Sequence, residues 1–285
     1  DDLDGARGMI GDAASDREIA LLGGGTNLVV EMRARGEGPA ALVSIGQLPG
    51  LRGIEVTDAT VTIGGATTVS DILRHPDMPR VAMALVEAGR AFAGQMVRNT
   101  GTVAGNIVCG SPAADLVPPL MALGATVTLR SRAGERVVPL EDYFTGYKTS
   151  VRRPDELITA ISWPVPPAGS VNRFYKLGRR KGDAITVVGV AVMVGVEAGA
   201  VTEARIALGA VGPCVLRARS AEAALIGAPP GPEAIARAAA LAMDEASPID
   251  DIRASGAYRK QQVEVLVRRL LTEASETPSE GGVTP

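Results

Sequence analysis

Residues 99–125 read NTGTVAGNIVCGSPAADLVPPLMALGA. Glycine, alanine and small hydroxyl residues fill its first half, one acid, Asp115, follows them, and a proline-bearing apolar run closes it. A solvated linker has no need for Thr102, Asn106 and Asp115 spaced ahead of an apolar segment. Side chains this small point instead to something that approaches the backbone closely, and the fold turns on what lies there.

Composition narrows the possibilities. The chain has 285 residues, 46% of them hydrophobic, enough for one large domain or two to three smaller ones. A net charge of −3 gives no electrostatic footprint for nucleic acid or an anionic membrane. No apolar run reaches the roughly 18 residues of a membrane span. The first residues, DDLDGARGMIGDAASD, have no basic segment ahead of an apolar one and do not read as a secretory signal; a cytoplasmic location is the expectation. Two distant cysteines, Cys109 and Cys214, and a single histidine, His75 in the turn sequence RHPDMP, fall short of the about four ligands of a structural zinc or iron–sulfur site. A Ser-His-Asp arrangement is equally poorly supplied. No catalytic side chain and no metal ligand is expected, and any chemistry falls to a bound cofactor.

Working outward from the opening stretch, EIALLGGGTNLVVEM reads as strand, glycine turn and helix, and ALVSIG, LRGIEV and TVTIGG as short strands. VSDILRH and MPRVAMALVEAGRAF have helical spacing. ATVTLRS and ERVVPL read as two strands about an Arg-Ala-Gly turn, and ELITAISWP as another. The proline cluster WPVPPAG marks the expected domain boundary. RFYKLGRR, AITVVGVAVMVGVE and TEARIALGAVG then predict an antiparallel run of long strands. VLRARSAEAALIG, PEAIARAAALAMDEA and YRKQQVEVLVRRLLTEA predict three closing helices, ahead of a disordered tail, ETPSEGGVTP. The class is α+β: two α/β lobes, then a sheet-plus-helices domain.

Three segments carry the chemistry. Gly23, Gly24, Gly25, Thr26 and Asn27 lie between a strand and a helix, where successive N–H groups can face an anion. Leu28 stands where a GxGxxG fingerprint needs glycine, and a simple tight turn explains the run as well. Gly101–Asn106 is the second glycine segment, followed by Asp115, which reads equally as an acceptor for sugar hydroxyls or as the N-cap of the next helix. Two phosphate-compatible loops point to a dinucleotide such as FAD. The third segment, FYKLGRRKGDAI, places Lys176, Arg179, Arg180 and Lys181 before a Gly182-Asp183 turn that is either a solvated face or a cover for a flat ring. Phe92, beside Gly94, is either a core residue or a stacking partner for such a ring.

AFAGQMVRNTGTVAGNIVCGSPAADLVPPLMALGATVTL (91–129), with LLGGGTNL (21–28) and FYKLGRRKGDAI (174–185), resembles the FAD-binding medium subunit of the molybdenum hydroxylases, the family of xanthine dehydrogenase and aerobic carbon monoxide dehydrogenase. The resemblance spans about 15–275, and AYRKQQVEVLVRRLL is similar to the family's closing helix. It implies a vanillyl-alcohol-oxidase/PCMH-type FAD-binding domain over 1–167, with lobes of about 1–53 and 54–167. A C-terminal domain of antiparallel sheet plus helices over 168–275 and a tail over 276–285 would follow.

Carried over by position, the resemblance implies a first FAD loop of Gly23, Gly24, Gly25, Thr26, Asn27 and Leu28. The second is Gly101, Thr102, Val103, Ala104, Gly105 and Asn106, where Ala104 replaces a commoner glycine. Asp115 would bond the flavin side chain, Ile158 would lie beside the ring through its backbone, and Phe92 near it. Lys176 and the turn from Arg180 to Asp183 would cover it. A large molybdopterin-binding subunit and a small 2Fe–2S subunit are the implied partners, in an (αβγ)2 hetero-oligomer. Electrons would pass through FAD to NAD+, a quinone or O2. Two other readings stay open: a stand-alone UDP-N-acetylenolpyruvoylglucosamine reductase-like enzyme, whose GGGSN loop LLGGGTNLVV also resembles, and a flavin-free assembly factor. Sterics predict that valine at Gly24 or Gly105 would strike the diphosphate and leave the fold intact.

Overall fold

The computed structural model describes residues 19–180 and 182–276; the N-terminal stretch, Lys181 and the tail beyond Glu276 lie outside the described residues. The chain opens with β1 (Ile19–Leu22), the glycine turn, α1 (Leu28–Arg35) and β2 (Ala41–Ser44), and β1 and β2 pair in parallel. Their small core is Leu48, Leu51 and Ala66, with Val43 and Ile45 against it.

Next come β3 (Ile54–Val56), β4 (Thr60–Gly64) and short helices α2 (Val69–Arg74), α3 (Met78–Val81), α4 (Met83–Ala91), α5 (Gln95–Thr100), α6 (Val103–Val108) and α7 (Val117–Ala122). α2 starts at a capping box, in which Thr68 accepts from the Asp71 N–H and Asp71 from the Thr68 N–H, satisfying two otherwise orphan donors. One helix over 78–92 was the expectation; Ala82, at φ −158 and ψ 53, breaks it in two. Two short helices that the sequence pattern does not announce flank Gly101, α5 before it and α6 opening within the glycine segment itself. Then β5 (Thr126–Ser131), β6 (Gly134–Pro139), α8 (Leu140–Tyr143), a small hairpin of β7 (Phe144–Gly146) and β8 (Thr149–Ser150), and β9 (Leu157–Pro164) complete this part. The antiparallel sheet runs β3-β4-β9-β5-β6.

After the prolines, β10 (Val171–Gly178), β11 (Thr186–Glu197), β12 (Ala200–Gly209) and β13 (Leu216–Arg217) form a second antiparallel sheet in chain order, closed by α9 (Arg219–Leu225), α10 (Pro232–Glu245) and α11 (Gly256–Glu276). Helix was expected from 215 onward. Leu216 and Arg217 instead pair with β12, and α9 begins after them. α11 buries Val263, Leu266, Val267, Leu270, Leu271 and Ala274, the spacing of one helical face.

β11 is buried along ten consecutive residues because it is covered on both sides. Its valines at 188, 190, 192 and 194 pack with α9–α11. Ala191 and Met193, with Phe174 of β10 and Ala207 of β12, join Val86, Leu120 and the core of the first sheet. The two sheets therefore share apolar packing. Glu87 stitches the same seam, pairing with Arg173 at 2.9 Å and accepting from the Phe174 N–H at 2.6 Å.

Glu156, ahead of β9, is buried and accepts from Arg136 Nε at 2.7 Å, Arg153 Nη2 at 3.0 Å and the Arg153 N–H at 2.7 Å. These donors, Arg136 first, hold its carboxyl at about 2 against an ordinary 4.5. A depressed carboxyl stabilises the fold fully above the unfolded value and loses that contribution as pH falls through the folded one. Glu156→Gln should therefore be less stable at neutral pH and should lose less stability between about pH 4.5 and 2, measured by urea unfolding across that range.

Candidate functional site

The two glycine turns abut. A Cβ built on Gly24 would lie 1.9 Å from the Thr100 carbonyl oxygen and 3.0 Å from the Gly101 Cα, and one on Gly23 would lie 3.0 Å from Thr102 Oγ1. Across the same junction, Gly101 faces Thr26 Oγ1 and the Phe92 ring edge. Gly25 has φ +69, a conformation costly for any residue with a Cβ. Among the described residues, none accepts a hydrogen bond from the backbone N–H of Gly24, Gly25 or Thr26. These donors lie ahead of α1, where a negative group would satisfy them.

The second turn is held more tightly by the protein itself. Thr102 accepts from the Gly105 N–H at 3.0 Å and caps α6, the Val103 N–H donates to Thr67 O and the Ala104 N–H to Gly65 O. Asn106 Oδ1 accepts from the Leu116 N–H at 3.2 Å. Ile158 reaches this turn through its backbone. Its carbonyl oxygen would lie 2.2 Å from a Cβ on Gly65, the residue that Ala104 bonds.

Asp115 is not the cap of α7: the N-cap position is Leu116, with no side-chain cap bond. Its carboxylate is buried and clamped from the second sheet, Oδ2 by Lys176 Nζ at 2.6 Å and Oδ1 by the Thr186 hydroxyl. Burial pushes the Asp115 carboxyl up, against Lys176 and Thr186, which pull it down. Lys176 Nζ also donates to Ala91 O at 3.2 Å, beside Phe92. The basic cluster thus divides, with Lys176 inside the protein while Arg179 and Arg180 are at the surface.

Arg180 Nη2 donates to Asp183 O at 3.0 Å and is exposed. The Asp183 carboxylate oxygens lie 3.3 Å from the Cβ position of Gly94. Ala93 and Asp183, two of the non-glycine residues with positive φ, flank Gly94 here, and such strain gathers where surrounding structure enforces it. Three contributors were not read from the sequence. Arg98 donates to the carbonyls of Phe92 and Ala93 at 3.0 Å each. Lys148 bonds Glu31 of α1 at 3.0 Å and holds its carboxyl below the usual range. Thr186 is the third. His75 is a half-buried C-cap whose Nδ1 accepts from the Asp77 N–H.

Family models match both parts of the chain. Residues 9–166 match the FAD binding domain in molybdopterin dehydrogenase, and 173–274 the CO dehydrogenase flavoprotein C-terminal domain. The chain is 33% identical to the nicotinate dehydrogenase FAD-subunit of Eubacterium barkeri, over 95% of this chain and 93% of that one. It is 32% identical to the carbon monoxide dehydrogenase medium chain of Hydrogenophaga pseudoflava, over 93% and 92%. A solved carbon monoxide dehydrogenase from the same organism, lacking the Mo-pyranopterin moiety of its molybdenum cofactor, superposes with a TM-score of 0.91 at 34% identity, covering 96% of this chain and 94% of that one.

The sterics of the turns correct one expectation. A side chain at Gly24 strikes the Thr100 backbone before it reaches any ligand, so the fold does not stay intact. Gly24→Ala should destabilise the cofactor-free chain by about 2–4 kcal/mol in urea unfolding. Gly105→Ala meets only the Thr102 hydroxyl, at 2.8 Å. It should stay within about 1 kcal/mol of the parent, because gained helix propensity offsets the displaced cap.

Proposed function

The chain belongs to the family of FAD-binding domains of the molybdopterin dehydrogenases, and we propose that it is the electron-transfer flavoprotein subunit of a molybdenum hydroxylase. One observation carries this reading: a side-chain-poor strand-to-helix turn and a side-chain-poor helix-to-helix turn meet at Gly24 and Gly101, and the first presents backbone donors with no acceptor among the described residues. The donors of Gly24, Gly25 and Thr26, which have no acceptor among the described residues, suit the oxygens of a diphosphate. FAD, when bound, supplies the two-electron to one-electron redox chemistry that no side chain here provides.

The residues of the chain bind and orient. The N–H groups of Gly24, Gly25 and Thr26 take the diphosphate oxygens, with the start of α1 adding favourable potential. The second turn, 101–106, comes within reach through its small residues, and Asp115 accepts from the flavin side chain while Lys176 and Thr186 hold it. Phe92 and the backbone of Ile158 border the ring, and the Arg180–Asp183 turn limits the access of solvent and acceptor. The FAD-binding unit would occupy 1–167 and the C-terminal unit 168–275.

Substrate oxidation falls to a molybdopterin in a large partner subunit and electron relay to 2Fe–2S clusters in a small one, within an (αβγ)2 assembly in the cytoplasm. Electrons leave for NAD+, a quinone or O2. Among the described residues no helix is long and apolar enough to cross a membrane.

The purified full chain should take up one FAD per chain, gain the flavin absorbance and show no hydroxylase activity alone. Substrate should bleach that absorbance anaerobically only when the molybdopterin and 2Fe–2S partners are added. Failure to retain FAD would favour an assembly factor, and reduction of an enolpyruvyl sugar nucleotide by the isolated chain would favour the stand-alone reductase.

A further inference from the structure

Thr186 is buried, polar and the first residue of β11. Val188, Val190, Val192 and Val194 face the core beneath α9–α11, and strict alternation would send Thr186 to the same side. The ladder departs from alternation at this end. Leu177 pairs with Val188, but Gly178 pairs with Thr186, which leaves Val187 as an extra residue. The bulge sends Val187 into the helix-side core with Val188. Thr186 turns to the other face, where its hydroxyl donates to Asp115 Oδ1. Bulges of this kind re-aim side chains beside functional sites.

The consequence is a carboxylate aimed entirely from the second sheet. β10 supplies Lys176 to one oxygen and β11 supplies Thr186 to the other. An ionised carboxylate has about four acceptor positions, so two donors fix its plane and leave lone pairs for a ligand. Lys176 alone, a single point contact, would let the carboxylate rotate about its Cβ–Cγ bond.

We infer that Thr186 is a positioning residue for the cofactor: it sets the orientation in which Asp115 accepts from the polyol hydroxyls of FAD, so the C-terminal domain completes a site built on the first. The inference rests on the reading of the chain as an FAD-binding subunit. Without the hydroxyl, a buried carboxylate oxygen lacks its donor and the ligand must bind a carboxylate that is no longer held.

The test is the dissociation constant of FAD, read by flavin fluorescence quenching on the full chain stripped of cofactor, for the parent, Thr186→Val, Thr186→Ala and Thr186→Ser. Val and Ala should weaken FAD binding about tenfold or more, and Ser, which keeps the hydroxyl, should restore it to within about threefold. Melting of the cofactor-free proteins should differ by only a few degrees. Should Val not fold, Ala carries the comparison, since it adds no atom. Parent-like affinity in Val and Ala, or a Ser variant as weak as Val, overturns the inference while leaving the flavoprotein reading standing. A parent chain that takes up no FAD overturns that reading first and the inference with it.

Discussion

Where Gly24 passes Thr100 and Gly101, two backbones come so close that no Cβ fits between them. This constraint ties the β1–α1 turn of the small N-terminal sheet unit to the α5–α6 turn carried by the larger antiparallel one. Neither turn could hold a large anionic ligand alone. The first has donors without an acceptor among the described residues, and the second spends most of its donors on its own helix cap and on Gly65 and Thr67. Placed together, they set the donors of the first against the small-residue surface of the second.

A second dependence runs across the sheets. Asp115 belongs to the first unit, yet both of its oxygens are held by strands of the second, and Glu87 receives Arg173 and the Phe174 N–H in the same direction. Together with the shared core around Phe174, Ala191, Met193 and Ala207, these contacts bind the C-terminal sheet to the residues proposed to hold the cofactor. Removing one partner of a buried pair such as Asp115–Lys176 exposes the full desolvation cost of the other.

Much of the architecture was legible. The strand–glycine turn–helix reading of 18–32, the antiparallel run of long strands and the closing helices follow from period and turn chemistry, and the family from the order of three motifs. What escaped has physical causes. Helices α5 and α6 are short and built from residues equally suited to loops, so their hydrogen bonds depend on tertiary neighbours. The break at Ala82 leaves no mark in an apolar pattern. The hydrogen bond of Thr186 depends on a bulge that inverts the parity of its strand, and nothing in AITVVG signals an inserted residue. The bonds that Thr102 and Asn106 make, to the Gly105 and Leu116 N–H groups, are equally unannounced, because local capping competes for the same polar atoms.

The central claim is that the turns at 23–27 and 101–106 are two walls of one FAD site. Backbone amide hydrogen exchange across 21–30 and 97–108, followed in the full chain before and after saturation with FAD, tests it most directly. Both segments should gain protection together, with the largest gain at Gly24–Thr26, whose N–H groups have no acceptor among the described residues. Protection confined to one turn, or to segments remote from both, would contradict the account.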